Sequence, residues 1–274
     1  TGKLAGLTET IVGEWLKTKR RDNIIIASKV AGAASGWFPP PVRGKLTAID
    51  RFHIEKAIEG SLKRLDTDYI DLYQVHWPDM VVPMEESMEA MDRLVQAGKV
   101  RYIGTSNESA YGLTKSNTIA EYEGYAKFQS IQNNFSLLNP RFFDELAHVC
   151  ETENVSLLPY SPLAGGVLSG KYNQDSLPDN TRFGDYRKLD STRQALMAKR
   201  FVNDKTLAAT LRYMEIAKEA GMSPVTLAIA WSMSFTYVAS TIIGARTAEQ
   251  LTESLAAFDV SLSTDVLAAC KKVQ

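Results

Sequence analysis

Short runs of β-branched and other apolar residues recur along the chain, and an amphipathic stretch follows most of them. We predict strands at residues 23–28, 69–75, 100–103, 128–131, 155–158 and 240–243. Runs of this length and composition are typical of strands in a parallel sheet that is covered on both faces. Four successive runs begin about 30 residues apart, the length of one β-helix-β unit.

The stretches between the runs carry apolar residues at helical spacing. The predicted apolar faces consist of Phe52, Ile58, Leu62 and Leu65, of Met84, Met88, Met91, Leu94 and Val95, and of Ala248, Leu251, Leu255 and Phe258. Further helices are predicted near 8–19, 204–220 and 224–234. Helix starts are predicted at Asn139-Pro140 and Ser223-Pro224, with a capping box from Thr247 to Gln250. We interpret the methionines as core packing.

Alternating strands and helices predict an α/β fold with a parallel sheet. A doubly wound nucleotide-binding sheet usually has a glycine-rich turn after its first strand, and no GxGxxG motif occurs in this sequence. We therefore predict a (β/α)8 barrel, with a polar loop region at 173–190.

Composition narrows the possible functions. The chain has 274 residues, of which 45% are hydrophobic, and its 31 basic and 32 acidic side chains give a net charge of −1. This balance argues against a nucleic-acid-binding protein, which needs a basic face. Two cysteines cannot form a disulfide scaffold, and no apolar run approaches the about 20 residues that cross a bilayer. We expect a single cytoplasmic domain over residues 1–274.

Residues that can bind or orient a ligand stand at the carboxyl ends of all six predicted strands. They are Lys29, His76, Ser106, Asn107, Gln132, Tyr160, Ser161, Pro162, Gly244 and Arg246. In a parallel barrel these ends lie on one face, where such enzymes build their active sites. The histidines His53, His76 and His148 are scattered and predict no metal site.

Several ordered motifs resemble those of the aldo-keto reductases, most closely the branch of Tas-like and potassium-channel β-subunit-like proteins. They lie at residues 27–30, 61–65, 68–77, 98–107, 131–133, 159–171 and 243–250. The resemblance implies a (β/α)8 barrel that binds NADPH in an extended pose and reduces aldehydes or ketones. Of the family's catalytic Asp, Tyr, Lys and His, it assigns the last two to Lys29 and His76. The Lys lowers the pKa of the proton-donating Tyr, and the His orients the carbonyl.

The resemblance also implies the cofactor-binding residues. Ser106, Asn107 and Gln132 resemble the residues that hold the carboxamide, and Tyr160 resembles the aromatic residue that stacks on the nicotinamide. The implied pyrophosphate-binding residues are Ser161, Pro162, Leu163, Gly165, Gly166, Lys171 and Arg182. Those for the 2′-phosphate and adenine are Gly244, Arg246, Gln250, Glu253 and Ser254, where Ser254 replaces an Asn of many relatives. A guanidinium at Arg246, which can pair with phosphate, favours NADPH over NADH.

The family's Asp and Tyr, and the first two strands of its barrel, have no match in the sequence. We expect that an N-terminal stretch is not included, because a barrel short of adjacent strands would expose sheet edges. The other interpretation is a variant without the proton donor. The loop at 79–83 is also shorter than in Tas-like relatives.

Two further patterns leave alternatives open. Trp37, Phe38 and Trp77 predict either an apolar substrate pocket or packing of loops at the barrel mouth. Residues 165–171 fit GxxxxGK, but Tyr172 replaces the Ser or Thr that a P-loop needs. A regulatory subunit that binds cofactor with little turnover is the alternative function. A barrel with unrelated chemistry is a third possibility.

Overall fold

Five parallel strands follow one another across a single sheet in a computed structural model that describes residues 6–31, 49–174, 176–189 and 192–274. The strands are β1 Ala27–Val30, β2 Ile70–Val75, β3 Val100–Ser106, β4 Phe128–Gln132 and β5 Ser156–Leu157. The order β1-β2-β3-β4-β5 and the helices between the strands confirm an α/β fold with a parallel sheet. In the strand register Lys29 pairs with Gln74, Gln74 with Gly104, and Gly104 with Ser130.

The helices account for most of the remaining described chain. They are α1 Leu7–Leu16, α2 Arg51–Leu65, α3 Met84–Gln96, α4 Ala110–Glu123, α5 Leu146–Glu153, α6 Arg182–Lys188, α7 Thr192–Phe201, α8 Asp204–Glu219, α9 Pro224–Met233, α10 Ala248–Leu255 and α11 Thr264–Lys271. No helix in the described part of the chain is long and apolar enough to cross a membrane.

The chain divides into two compact units. The first contains Thr1–Gln132 and His148–Ser156, and the second contains Asn133–Ala147 and Leu157–Gln274. The expectation of one barrel domain over residues 1–274 stays a prediction.

In the first unit, helices form where the sequence predicts them. The side chain of Asp50 caps α2 by accepting a hydrogen bond from the His53 backbone N–H. Met88, Met91 and Leu94 of α3 are buried, which confirms the predicted methionine stripe as core. The assignment of Phe52 to the buried face of α2 is wrong, since its side chain is 52% exposed.

Strand β1 begins later than predicted, because residues 21–23 form a 3-10 turn. Lys29 consequently lies inside β1 instead of following it. The Arg21 guanidinium stabilises this turn by donating to the Ile24 carbonyl at 2.6 Å.

In the second unit, the start of α9 at Ser223 and Pro224 is as predicted. The strand predicted at 240–243 does not form. Among the described residues this segment is tied to its neighbour by isolated hydrogen bonds, such as the one from the Ile242 N–H to the Pro159 carbonyl at 2.8 Å. A regular ladder is therefore not completed there, despite the β-branched composition of the segment.

Three smaller predictions for the second unit are also wrong. Asn139 does not cap an α-helix, since Pro140 leads into a 3-10 turn at Arg141–Phe143. The polar region 173–190 contains helix α6, which Thr181 caps. The apolar face predicted on α10 is exposed, with Phe258 beyond it at 79%. Periodicity indicates that a helix has an apolar side, but it does not show what packs against that side.

Candidate functional site

Polar side chains gather at the carboxyl ends of β1 to β4 in the first unit. Lys29 is the last residue but one of β1, and His76 directly follows β2. Ser106 and Gln132 end β3 and β4 and are paired in the register, while Asn107 follows β3. The structure therefore places the five predicted strand-end residues of this unit along one edge of the sheet.

Asn107 links three of these strand ends. Its side-chain Nδ2 donates to the His76 carbonyl at 3.0 Å and to the Ser106 Oγ at 3.1 Å. Its backbone N–H donates to the Gln132 carbonyl at 3.1 Å, which also accepts from the Ser106 hydroxyl at 2.7 Å. The left-handed backbone conformation of Asn107, with φ 56°, orients its side-chain Nδ2 and its backbone N–H toward these acceptors. Asn tolerates this conformation better than most residues, so the linkage explains the residue type.

His76 is neutral near pH 7. Burial lowers the pKa of its imidazole, and the positive charge of Lys29 lowers it further, to about 4 from an ordinary value of 6.5. Burial also lowers the pKa of Lys29. A neutral imidazole has one N–H to donate. It can therefore orient and polarise a carbonyl oxygen by hydrogen bonding, without giving up a proton.

The predicted substrate pocket is only partly described. The Trp77 ring stacks against that of His76, with centroids 6.0 Å apart and planes at 28°. Trp37 and Phe38 lie outside the described residues. Of the three aromatic residues predicted to form the pocket, Trp77 is therefore the one that the structure shows in contact with His76.

A groove of about 760 Å³ lies within the second unit. All predicted phosphate- and adenine-binding residues line it, namely Ser161, Pro162, Leu163, Gly165, Gly166, Lys171, Arg182, Gly244, Arg246, Gln250, Glu253 and Ser254. Asn180 and Thr181 line it as well and were not predicted, because no pattern distinguishes them from the rest of their polar loop. This size suits the binding of a small molecule.

The loop at one side of the groove needs its glycines. Gly165 and Gly166 have φ values of 70° and 95°, where L side chains are strained. A Cβ on Gly165 would come within 2.6 Å of the Phe183 ring, and one on Gly166 would lie 3.0 Å from the Lys171 Nζ. The bare backbone thus lets the Lys171 ammonium approach the loop.

The charges in the groove favour an anion. Lys171, Arg182 and Arg246 line it together with one acidic residue, Glu253. Within the described ranges none of these three cations forms an ion pair. Arg246 is held in place by a hydrogen bond from Nη1 to the Asn180 carbonyl at 3.0 Å, and by its backbone N–H, which donates to the Gln250 Oε1 at 3.0 Å. The guanidinium keeps further donors for phosphate oxygens.

Two predicted contacts look different in the structure. The Ser254 hydroxyl donates to the Gln250 carbonyl at 2.8 Å within α10, so part of its hydrogen-bonding capacity is already used. Tyr160 does not line the groove; it is half-buried, and burial raises the pKa of its phenol. Its nicotinamide-stacking role stays a prediction.

Comparison with known proteins adds an independent line of evidence. The model of the Aldo/keto reductase family matches residues 4–274. "Protein tas" of Escherichia coli (strain K12) is 37% identical over 290 residues, which span 98% of this chain and 80% of that protein. A "Probable voltage-gated potassium channel subunit beta" of Oryza sativa subsp. japonica is 34% identical over 262 residues, which span 93% and 75%.

A solved structure shares the fold. The crystal structure of the thermostable aldo-keto reductase Tm1743 in complex with epalrestat aligns with a TM-score of 0.72 and 25% identity. The alignment covers 98% of this chain and 78% of that one. Together with the family match and the parallel sheet, this likeness confirms the predicted fold class, the (β/α)8 barrel.

Proposed function

Because the chain belongs to the aldo/keto reductase family, we propose that it is an NADPH-dependent oxidoreductase that reduces aldehydes or ketones to alcohols. The observation that carries the cofactor part of this proposal is the groove of the second unit. Three cations without ion-pair partners in the described part of the chain line it, beside a glycine loop that lets Lys171 approach. Such a site fits the phosphates of a dinucleotide.

The residues divide the proposed binding task. Lys171, Arg182 and the loop from Ser161 to Gly166 would hold the pyrophosphate, and Arg246 would hold the 2′-phosphate that distinguishes NADPH from NADH. Gln250, Glu253, Ser254 and Gly244 would surround the adenosine. In the first unit Ser106, Asn107 and Gln132 would bind the carboxamide. A bound NADPH supplies the hydride for the carbonyl carbon.

The chemistry proposed for the first unit is orientation and polarisation of the carbonyl. Neutral His76 donates its N–H to the carbonyl oxygen and so stabilises the negative charge that develops there. Lys29, in the family's pattern, lowers the pKa of a Tyr that gives the proton to this oxygen. The sequence from 1 to 274 carries no match to that Tyr, so the assignment to Lys29 rests on the resemblance alone.

Arg246 provides the test of the cofactor proposal. We expect Arg246→Ala to weaken NADPH binding about tenfold or more, the effect of losing at least 1.4 kcal/mol of a charge-assisted phosphate contact. NADH binding should barely change. Nicotinamide fluorescence on titration measures both, and Arg93→Ala, which removes an exposed arginine paired with Glu89 in the first unit, is the control. Failure of the wild-type protein to bind either cofactor would contradict the proposal.

A regulatory, cofactor-binding subunit with little turnover is the second candidate, favoured by the likeness to the potassium-channel β subunit of rice. Single-turnover oxidation of bound NADPH by a panel of aldehydes separates the two. Oxidation supports the reductase, whereas tight binding without oxidation supports the regulatory subunit. We also propose a cytoplasmic location, which the two free cysteines Cys150 and Cys270 support, because thiols stay reduced there.

A further inference from the structure

The buried carboxylate of Asp79 fixes the turn that follows His76. Asp79 is 8% exposed, and its Oδ1 accepts the backbone N–H of Val81 at 2.8 Å and of Val82 at 3.2 Å. A side-chain oxygen that accepts from residues further along the chain closes an Asx-type turn. One carboxylate oxygen therefore holds the backbone of this turn, which lies outside any helix or strand.

The second oxygen of Asp79 ties the turn to neighbouring helices. Oδ2 accepts the backbone N–H of Ile49 at 3.4 Å, and the Ile49 carbonyl in turn accepts from the Ser87 hydroxyl at 2.9 Å. Ile49 lies just before α2, and Ser87 lies in the first turn of α3. Asp79 thus joins the turn to the starts of two helices of the same unit.

The turn that directly follows His76 carries three apolar side chains. Trp77, whose ring stacks on the imidazole, begins it, and Met80 and Val81 are 91% and 89% exposed. We call these three residues the apolar strip. Single exposed apolar residues are ordinary, but three on one turn that follows a polar residue at a carboxyl sheet edge are typical of a ligand-binding surface.

We infer that Asp79 is a positioning residue that holds the apolar strip where it binds the non-reacting apolar part of a carbonyl substrate. The inference rests on the proposed reductase function. Asp79 itself touches no substrate, because its two oxygens face backbone N–H groups. Without these two oxygens the turn loses three hydrogen bonds, and the apolar strip loses the constraint that fixes its backbone.

Two substitutions separate the two oxygens. Asp79→Ala removes both acceptors, whereas Asp79→Asn keeps an oxygen for Val81 and Val82 and puts an NH2 group opposite the Ile49 N–H. For an aromatic aldehyde such as 4-nitrobenzaldehyde, we expect Asp79→Ala to raise KM about tenfold, as expected when an apolar contact surface is lost. For propanal, which is too small to cover the strip, KM should change less than about twofold, and kcat should stay within about twofold for both.

Asp79→Asn should give a KM for the aromatic aldehyde between those of the wild type and Asp79→Ala, since it restores the acceptor for the turn. Asp92→Ala is the matched control, because Asp92 is also a buried carboxylate that accepts a backbone N–H, that of Ala126 at 2.9 Å. It should lower the melting temperature without separating the two substrates. Equal KM changes for both aldehydes in Asp79→Ala, or none, would overturn the inference.

Hydrogen exchange tests the same inference without turnover. In the free protein, the Val81 and Val82 amides should exchange faster in Asp79→Ala and remain protected in Asp79→Asn. If none of the aldehydes tested is reduced by the wild-type protein with NADPH, the proposed function fails. The exchange experiment still decides whether Asp79 holds the turn. Unchanged exchange of both amides in Asp79→Ala would overturn the positioning role, whatever the activity.

Discussion

The Lys29 ammonium acts electrostatically on the His76 imidazole: burial is the larger cause, and this positive charge the second, of a His76 pKa of about 4. Because both causes disfavour the imidazolium, the ring keeps its neutral, hydrogen-bond-donating form as the pH falls from 7. It loses that form only as the pH passes through about 4. The pair therefore presents a neutral hydrogen-bond donor near neutral pH, as the proposed polarisation of a carbonyl requires.

Removing the Lys29 ammonium should show how much its charge contributes to the lowered pKa of His76. We expect Lys29→Met to raise the pKa of His76, yet to leave it below the ordinary 6.5, since burial remains. NMR titration of the ring protons measures this, and the chain has only three histidines to assign. Lys127→Met, which removes an exposed lysine paired with Glu121, should leave the value unchanged. A His76 pKa that falls or stays constant in Lys29→Met would contradict the expectation.

The same shift predicts how stability depends on pH. Between about 6.5 and about 4 the unfolded chain binds a proton at His76 that the folded chain does not. The free energy of unfolding therefore falls as the pH falls through this window. His76→Gln should reduce the slope there and leave it unchanged above pH about 7, where His76 is neutral in both states. Denaturant titrations at several pH values measure the slope, and equal slopes for the variant and the wild type would refute the link.

Gly166→Ala should weaken the groove for anions. The substitution forces an L side chain to φ 95° and places a Cβ 3.0 Å from the Lys171 Nζ, so the ammonium must move. Gly221→Ala is the control, because Gly221 also has a positive φ of 69° but no heavy atom within 4 Å of the added Cβ. Both should lose about 1–2 kcal/mol of stability to backbone strain, measured by chemical denaturation. Only Gly166→Ala should bind NADPH more weakly; equal binding by both variants would count against the role of Lys171.

Gln74 should prove dispensable for stability. It is fully buried, its Oε1 has no hydrogen-bond partner among the described residues, and its Nε2 makes one long hydrogen bond to the Thr105 carbonyl at 3.4 Å. Gln74→Met should therefore change the free energy of unfolding by less than about 1 kcal/mol. Asn117→Leu offers the contrast: Asn117 is equally buried but accepts the Phe128 N–H at 2.9 Å, so its loss should cost about 2 kcal/mol. Similar losses for the two variants would contradict this account.

Asp71 should matter more than any exposed ion pair. Its carboxylate accepts from the Arg21 Nη2 at 2.7 Å and the Ile26 N–H at 2.9 Å, and the Arg101 Nη1 lies 3.4 Å away. Asp71→Ala leaves two guanidinium groups without this partner and should cost about 3–5 kcal/mol. Glu89→Ala, which breaks the exposed pair with Arg93, should cost less than about 1 kcal/mol. Thermal and denaturant unfolding give both values, and comparable costs would show that Asp71 is not a true buried pair.

Local sequence patterns predicted most elements because their causes are local. The cap at Ser223 with Pro224 determines the start of α9 by hydrogen bonding and a fixed φ, and neither depends on distant residues. The β-branched run at 240–243 failed as a strand because a ladder needs a partner at every second residue, which the run itself cannot supply. The prediction that Phe52 is buried was wrong for a related reason: apolar character does not determine which side of α2 is covered by the rest of the unit.

In the candidate site too, features with local causes could be predicted from the sequence, whereas features that depend on distant residues could not. His76 stands out in the sequence because it directly follows the strand predicted at 69–75, and Asn107 because it comes shortly after the strand predicted at 100–103. Asp79 does not, since its importance comes from accepting the Ile49 N–H, 30 residues away in sequence. Gln74 shows the converse: nothing in the sequence of a buried strand indicates that its amide makes a single long hydrogen bond, to the Thr105 carbonyl at 3.4 Å.

All residues that line the groove belong to the second unit, while Lys29, His76 and Asp79 belong to the first. Under the proposed function, substitutions that alter the preference for a phosphate group would therefore lie in a different part of the chain from those that alter the choice of carbonyl compound. Under this proposal the two properties would change independently in evolution, because the residues that serve them belong to different units.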